Sequence, residues 1–260
     1  MNERKLMRDK SVLITEGNTA SARIIATKFA KEGAHIVLFC DTFDDTAMHT
    51  KFLVEKNNVD CLLMIGDIND HAYCREIILT IKTKYKKLDV LINNSFTSNL
   101  SLANLPNHIR EKLLEISRLK VFIYQKLTES AIKIMEPKAS IINHQIVENG
   151  WGDAYWDDDG TEKDAYFNNS IKVFTEFYSK RLEKKGIRSN AIISHTTVTS
   201  PPGVGLDIRK NGFSFLGTGK NYQIGCPFSF LMSDDSLDIN GEILFQKPRA
   251  DVYAYGWSTV

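Results

Sequence analysis

Short apolar runs alternate along the chain with longer stretches in which apolar residues recur at helical spacing. The first unit has an apolar run at Ser11–Thr15, a helical pattern from Ala20 to Gly33, and a second apolar run at Ala34–Cys40. Later apolar runs lie at residues 61–65, 90–92, 140–142, 189–193 and 241–245, and amphipathic stretches lie at 71–86, 107–135 and 164–185. Strands that are apolar throughout and separated by helices need a parallel sheet covered on both faces. The sequence therefore predicts an α/β fold: a single-domain Rossmann-type doubly wound parallel sheet over residues 1–260, flanked by helices on both faces.

The composition is that of one domain with no strong charge bias. Of 260 residues, 43% are hydrophobic, which is enough for one sizeable core. Lys and Arg total 33 against 32 Asp and Glu, so we expect no nucleic-acid partner and no membrane partner. No apolar run approaches the length of a membrane span. The four cysteines show no metal-binding spacing, which favours a reducing, cytoplasmic setting.

Five segments, taken in order, carry a specific resemblance. They are KSVLITEGNTASARIIATKFAKEGAHIVLFCD, Gly66-Asp67-Ile68, LDVLINNS, KKGIRSNAIISHTTVTSP and FLMSDDSLDINGEIL. Together they resemble the short-chain dehydrogenase/reductase family over nearly the whole chain. The resemblance implies a shared scaffold and an ancestral nicotinamide-dependent hydride transfer. Because function depends on the site and not on the fold, each site position must be checked separately.

The loop after the first strand departs from the family pattern. The family reads Thr-Gly-x-x-x-Gly-x-Gly, where missing side chains let backbone N–H groups approach the cofactor diphosphate. Here the loop reads TEGNTASA, so Glu16, Ala20 and Ala22 occupy the glycine positions and only the off-register Gly17 remains. A carboxylate at this helix N-terminus would repel a diphosphate and could substitute for it. The alternative is that Glu16 points to solvent and the loop binds a dinucleotide in a shifted pose.

Several other cofactor positions of the family are retained. They are Asp41 at the end of the second apolar run, Asp67, Ile68, Asn93 and Thr199. An acidic residue at Asp41 favours NAD(H) over a 2′-phosphorylated cofactor, if any dinucleotide binds. Asp41 could instead cap the following segment. Phe96 replaces the last glycine of the family's Asn-Asn-Ala-Gly motif and would project toward the place of the nicotinamide ribose.

The family's catalytic tetrad has no match in this chain. Counting back from Gly186, the Tyr and Lys positions fall on Asp164 and Asn168, the Ser position falls on Gln145 or Ile146, and the Asn position falls on Arg118. An aspartate loses its proton well below neutral pH, and an asparagine carries no charge to stabilise a tyrosinate. Tyr166 is a candidate for a displaced general acid, although Lys172 does not share its face of a regular helix.

One loop is longer than the family pattern requires. It carries Trp151, Tyr155 and Trp156 among several carboxylates, at the sheet edge where α/β folds bind ligands. Such a cluster suits a small cationic or sugar-like molecule, or else is a solvated turn with packed aromatics. His49, His144 and His195 are isolated in the sequence, so no metal site is predicted.

These observations leave three functional hypotheses. The first is a chain that has lost hydride transfer and acts as a non-catalytic partner subunit or as an enzyme rebuilt for non-redox chemistry. The second is an NAD(H)-dependent ketone or alcohol oxidoreductase with displaced catalytic residues, and the third is a small-molecule sensor. By analogy with the family we expect a homo- or hetero-oligomer, a dimer or tetramer, formed through helices 107–135 and 164–185. The apolar residues consistent with this are Leu113, Leu114, Val121, Phe122, Phe174 and Phe177.

Overall fold

The computed structural model describes residues 6–96, 123–148, 165–196 and 225–246. The strands are β1 (Ser11–Ile14), β2 (His35–Cys40), β3 (Cys61–Ile65), β4 (Val90–Phe96), β5 (Ser140–Glu148), β6 (Arg188–Thr196) and β7 (Ile243–Gln246). The helices are α1 (Ala20–Lys31), α2 (Asp45–Glu55), α3 (His71–Tyr85), α4 (helical over 123–131 in the described part), α5 (Ala165–Leu182) and α6 (Gly225–Met232). Single 3₁₀ turns cover Glu183–Lys185 and Asp234–Ser236.

The seven strands form one parallel sheet in the order β3-β2-β1-β4-β5-β6-β7. The chain therefore builds outward from β1 to β3 and then crosses back to place β4 on the other side of β1. This reversal creates a crevice at the carboxyl ends of β1 and β4, which is where open α/β sheets bind their ligands. The predicted doubly wound parallel sheet is confirmed.

The two faces of the sheet are covered by two separate apolar cores. Alternating strand residues such as Ile14 and Ile92 pack under α1, α2 and α6. The intervening residues, such as Leu13 and Leu91, pack under α3, α4 and α5. All four of these residues are fully buried, as expected for strands of a sheet that is covered on both sides. Within the described residues, no helix is long and apolar enough to cross a membrane.

Side-chain caps set the starts of the first three helices. Thr19, Asp44 and Asp70 each accept a hydrogen bond from a first-turn amide, which satisfies a donor that a helix would otherwise leave unpaired. Helix α1 ends at Lys31, and Gly33 follows its C-cap residue with a φ of +95°. The sequence patterns had placed Gly33 at this helix end, and the left-handed backbone explains why a glycine is there.

Two features differ from the sequence predictions. Helix α2 was not predicted, because it buries only three of its side chains, Ala47, Thr50 and Val54, and has a weak apolar stripe. Strands β4, β5 and β6 continue past the predicted apolar runs through polar residues. These strands continue because their polar side chains are buried and bond to one another, as described below.

Candidate functional site

The candidate site is the carboxyl edge of the sheet around the β1–β4 crevice. The β1–α1 loop lies over it, and the carboxyl ends of β2 to β6 surround it. Of four predicted cofactor positions, Gly17, Asp41 and Asp67 follow the ends of β1, β2 and β3, and Asn93 lies within β4. The fold thus brings them to one edge of the sheet, although each is engaged in a different way.

Glu16 is held in an unusual conformation by contacts within the protein. Its φ is +48°, in the left-handed region that favours glycine. The Tyr124 hydroxyl of α4 donates a hydrogen bond to Glu16 Oε1 at 3.1 Å and approaches the Asn94 carbonyl oxygen at 3.4 Å. The Glu16 carboxylate therefore reaches across the crevice to the end of β4. The side chain is thus held by Tyr124 and does not point freely to solvent, whereas binding of a dinucleotide in a shifted pose stays a prediction.

Gly17 packs against the neighbouring strand. A Cβ atom at this position would lie 2.8 Å from Leu38 Cβ and 3.0 Å from Cys40 Sγ, so only glycine fits. Its amide N–H donates to the Phe39 carbonyl oxygen at 2.8 Å. Burial raises the pKa of the Cys40 thiol to about 12, so this sulfur stays protonated at neutral pH. The glycine that remains in the loop thus serves its contact with β2.

The ends of β2 and β3 carry exposed carboxylates. The Asn18 amide donates to Asp44 Oδ2 at 3.1 Å, which ties the β1–α1 loop to the start of α2. Asp44, and not Asp41, caps α2, so the alternative role predicted for Asp41 is wrong. The Asp67 Oδ1 atom accepts hydrogen bonds from the Asn69 amide at 2.8 Å and from the Asn69 side chain at 2.7 Å. Asp41 is exposed, and its carboxylate accepts a hydrogen bond from Thr42 at 3.4 Å.

Two positions in the loop between β3 and α3 complete this edge. Ile68, a predicted cofactor position, is partly buried against the core under α3, and its carbonyl oxygen accepts from the Cys74 thiol at 3.2 Å. The Tyr73 ring lies over Gly66, where a Cβ would approach the ring to 2.4 Å.

On the α4 and α5 side of the sheet, Asn93 is buried in a polar network. Its amide donates to Asn143 Oδ1 at 2.9 Å, and the Asn143 amide donates to the Thr175 hydroxyl at 2.9 Å. Asn93 therefore joins β4 to β5 and, through Asn143, to α5. Gln145 on β5 is 2% exposed, and none of the described residues gives its Oε1 atom a hydrogen-bond partner. An amide does not titrate, so Gln145 cannot act as the proton donor of this site.

On the α1 and α6 side, a second network crosses three strands. His144 Nδ1 lies 2.7 Å from Asn94 Oδ1, and His144 Nε2 lies 3.0 Å from Ser194 Oγ. The imidazole is fully buried, and desolvation lowers its pKa to about 3. The Phe228 ring packs against it in a T-shaped arrangement with ring centroids 4.9 Å apart. The sequence patterns treated His144 as isolated, whereas the fold gives it partners on both adjacent strands.

Other predicted site residues lie wholly outside the described residues, or have only their backbone described. Arg118, Asp164, Thr199 and the aromatic loop with Trp151, Tyr155 and Trp156 fall outside the described residues. The backbones of Tyr166 and Asn168 lie in the first turn of α5, and those of Phe96 and Ile146 lie in β4 and β5. The side chains of these four residues also fall outside the described part, so their predicted roles stay predictions. The part of the chain that is described has no group of three or more metal-ligating side chains.

The chemistry of the β1–α1 loop can be compared with what a dinucleotide diphosphate needs. Such a group binds to backbone N–H donors at a helix N-terminus. Three amides of this loop already donate within the protein, those of Gly17, Thr19 and Ala22. A carboxylate stands beside them in place of the first glycine. These residues do not match a diphosphate in the usual pose.

Comparisons with known proteins agree with the fold. A family model described as enoyl-(acyl carrier protein) reductase matches residues 19–246. The uncharacterized oxidoreductase YhxC of Bacillus subtilis is 26% identical over 249 residues, which are 92% of this chain and 84% of that protein. A second uncharacterized oxidoreductase of the same organism, YhdF, is 33% identical over 187 residues, which are 72% of this chain. The match covers 62% of the length of YhdF, less than two thirds.

Solved structures of low sequence identity share the fold. A short-chain dehydrogenase from Burkholderia cenocepacia, solved in complex with NADP, superposes with a TM-score of 0.69 at 18% identity. That comparison covers 95% of this chain and 99% of the other. With the parallel sheet, the β1–β4 crevice and the extent of the family match, this chain belongs to the short-chain dehydrogenase/reductase family of oxidoreductases.

Proposed function

We propose that this chain keeps the family scaffold but not the family's nicotinamide-dependent hydride transfer, and that it acts as a non-catalytic partner subunit or through a site rebuilt for non-redox chemistry. The observation that carries the proposal is the contact between the Glu16 carboxylate and the Tyr124 hydroxyl across the crevice. In this proposal, the Glu16 carboxylate lies on the side of the crevice to which a cofactor would bring its own negative charge.

Electrostatics give the size of the obstacle. Two like charges 4 Å apart repel by about 4 kcal/mol at the effective dielectric constant of a partly buried protein site. Moving Glu16 aside would break its hydrogen bond to Tyr124, and a bond to a charged group contributes about 1.5–3 kcal/mol. A dinucleotide in the usual pose would meet the repulsion if Glu16 stayed in place, or would cost the hydrogen bond if Glu16 moved aside. Either term alone corresponds to about a ten- to thousandfold loss of affinity.

The acid–base positions support the same proposal. Gln145, at or next to the family's serine position, is buried and carries an amide that neither gains nor loses a proton near neutral pH. His144, the nearest titratable group on β5, has a pKa of about 3 and stays neutral. Neither side chain can exchange a proton with a substrate at physiological pH in the way the family's reaction requires.

Calorimetric titration with NADH and with NADPH tests the proposal. We expect no binding of either cofactor to the wild-type protein at micromolar concentration. The triple variant Glu16→Gly, Ala20→Gly, Ala22→Gly restores the family's glycines and is expected to bind at least about tenfold more tightly than wild type. Glu16→Gln is the matched control, since it keeps the side-chain size and an oxygen acceptor for Tyr124 but removes the charge. Micromolar binding to wild type that the glycine substitutions leave unchanged would contradict the proposal.

A second candidate is an NAD(H)-dependent ketone or alcohol oxidoreductase with displaced catalytic groups, in which Tyr166 is the general acid. Two observations favour it: the matched Bacillus relatives are named oxidoreductases, and Asp41 stands exposed at the end of β2. It predicts that wild type oxidises NADH in the presence of a panel of ketones and aldehydes, and that Tyr166→Phe abolishes the rate. Tyr85→Phe is the matched control, because the buried Tyr85 hydroxyl has no hydrogen-bond partner within the described part of the chain. No carbonyl-dependent loss of NADH absorbance would exclude this candidate for the compounds tested.

We also propose self-association through the outer face of α5. Val173 and Phe177 are 64% and 50% exposed on this helix, whereas Phe174 is buried against the sheet. Arg181 and Tyr178 donate hydrogen bonds to Glu129 of α4, and the Tyr178 ring contacts the exposed Phe177 ring. Sedimentation velocity of Phe177→Lys should show a smaller species than wild type, and Leu79→Lys on α3 is the control for an equally exposed apolar residue. Identical sedimentation of all three proteins would argue against this interface.

A further inference from the structure

The second network of the site, formed by Asn94, His144 and Ser194, links three adjacent strands at their carboxyl ends. In the sheet His144 stands opposite Asn94 on β4 and opposite Ile192 on β6, and Ser194 lies two residues beyond Ile192. The His144 ring therefore spans from β4 to β6. The three side chains are 1%, 0% and 1% exposed, so water does not compete for their hydrogen bonds.

The direction of each hydrogen bond follows from one donor. The Thr19 hydroxyl has a single hydrogen, which it donates to the Glu16 carbonyl oxygen at 2.8 Å. Its oxygen therefore accepts, and the Asn94 amide nitrogen donates to it at 3.0 Å. This contact orients the Asn94 side chain so that its Oδ1 atom faces His144.

The orientation of Asn94 determines the tautomer of His144. Because Asn94 Oδ1 only accepts, His144 Nδ1 must carry a hydrogen. A neutral imidazole then has an unprotonated Nε2 atom, which accepts from the Ser194 hydroxyl. The hydrogen bonds therefore form a series with one direction: Ser194 donates to His144, His144 donates to Asn94, and Asn94 donates to Thr19. The series ends at the Glu16 carbonyl oxygen, which accepts from Thr19.

The network ends on the helix start that the family uses for its cofactor. Ser21 in the first turn of α1 also donates to Asn94 Oδ1, at 3.3 Å. Thr15 at the end of β1 accepts from the Asn94 backbone amide at 2.8 Å. Asn94 thereby contacts both sides of the β1–α1 loop, and His144 holds Asn94 in place.

We infer that His144 is a positioning residue, which through Asn94 fixes the β1–α1 loop and the first turn of α1 against the sheet with no bound ligand. No charged group of the described residues contacts the ring, which meets Asn94, Ser194 and Phe228. The inference goes beyond the proposed function and does not depend on it, because these bonds form inside the sheet whatever the crevice accepts.

The substitutions that test this role differ in hydrogen bonding at similar size. His144→Gln can donate to Asn94 and accept from Ser194 with one amide, so it can preserve both bonds. His144→Leu fills the space and makes neither bond. His49→Gln, at an exposed histidine of α2, is the matched control for removing an imidazole.

Amide hydrogen exchange of the full chain is the first readout. In His144→Leu, we expect the protection of Ala22 and Asn94 to fall about ten- to a hundred-fold, because a buried group that loses its partner is strongly destabilised. The protection of the Ile77 amide in α3, on the opposite face of the sheet, should fall less. In His144→Gln, the protection of all three amides should stay within about threefold of wild type. A uniform loss in which Ala22 falls no more than Ile77 would overturn the inference, as would equal losses in the Gln and Leu variants.

The tautomer of His144 is the second readout, because a histidine that only filled space could carry its hydrogen on either ring nitrogen. Long-range ¹H–¹⁵N correlation spectra of wild type at neutral pH should show His144 with its hydrogen on Nδ1. A hydrogen on Nε2, or a charged imidazolium, would contradict the derived direction of the network.

Discussion

Lowering the pH should destabilise this protein through the buried imidazole of His144. Complete burial lowers the pKa of His144 to about 3, whereas an unfolded chain exposes a histidine with a pKa near its usual 6.5. Below pH 6.5 the unfolded state therefore takes up a proton that the folded state does not. Stability is unaffected by this group above pH 6.5 and is lost progressively as the pH falls toward 3.

The magnitude follows from the linkage slope of about 1.4 kcal/mol per pH unit for one proton. Between pH 7 and pH 4.5, this group should lower the free energy of unfolding by roughly 2–3 kcal/mol, a large share of the stability of an ordinary domain. Carboxylates that are paired in the folded state contribute in the same direction. Burial alone would raise the pKa of Glu129, for example, but its hydrogen bonds to Arg181 and Tyr178 bring that pKa below its usual value.

Urea unfolding of wild type and His144→Gln at several pH values between 7 and 4.5 separates these contributions. The glutamine variant keeps every carboxylate but has no group to titrate at this site. We expect its stability to fall less steeply with acid than that of wild type, so that the two curves converge or cross near pH 4.5. Parallel curves over this range would refute the reasoning, since they would mean that His144 titrates alike in the folded and unfolded chains.

Three further substitutions test separate parts of the account. Asn94→Asp places a carboxylate against His144 Nδ1, so the pKa of His144 should rise well above 3, measured by NMR titration of its ring protons; an unchanged value would contradict the assigned contact. Gly17→Ala should lower the free energy of unfolding by about 1–3 kcal/mol in urea titrations, because its Cβ would overlap Leu38, and a neutral effect would argue against this packing. Asp44→Ala removes the α2 cap and should cost about 0.5–2 kcal/mol in the same assay, whereas Asp41→Ala, the neighbouring exposed carboxylate, should cost less.

The layer structure could be predicted from the sequence because apolar runs and helical periodicity are local. The predicted starts of β1, α1, β3 and α3 agree with the observed ones for this reason. Helix α2 could not be found in this way, since most of its residues face solvent and its clearest signal is the cap at Asp44. A search for caps alone would have suggested its start.

The polar ends of the central strands were harder to predict. The apolar pattern predicts that each of these strands ends at an isoleucine. The observed strands continue through buried polar residues, because hydrogen bonds within the protein replace those to water. The partners of His144 lie 50 residues away on either side, beyond any local pattern. One signal was present: Asn94, His144 and Ser194 each follow an isoleucine of the apolar run by two residues and so share a face of the sheet. The replaced glycines and tetrad were visible in the sequence, but the reach of Glu16 to Tyr124 needed the fold.

A crystal of the wild-type protein soaked in millimolar NAD⁺ tests the central claim most directly. We expect the Glu16 carboxylate to remain hydrogen-bonded to Tyr124, with no dinucleotide density over the start of α1. A diphosphate bound at that helix, with Glu16 turned away from Tyr124, would contradict the claim that the protein's own side chains have taken over the cofactor crevice.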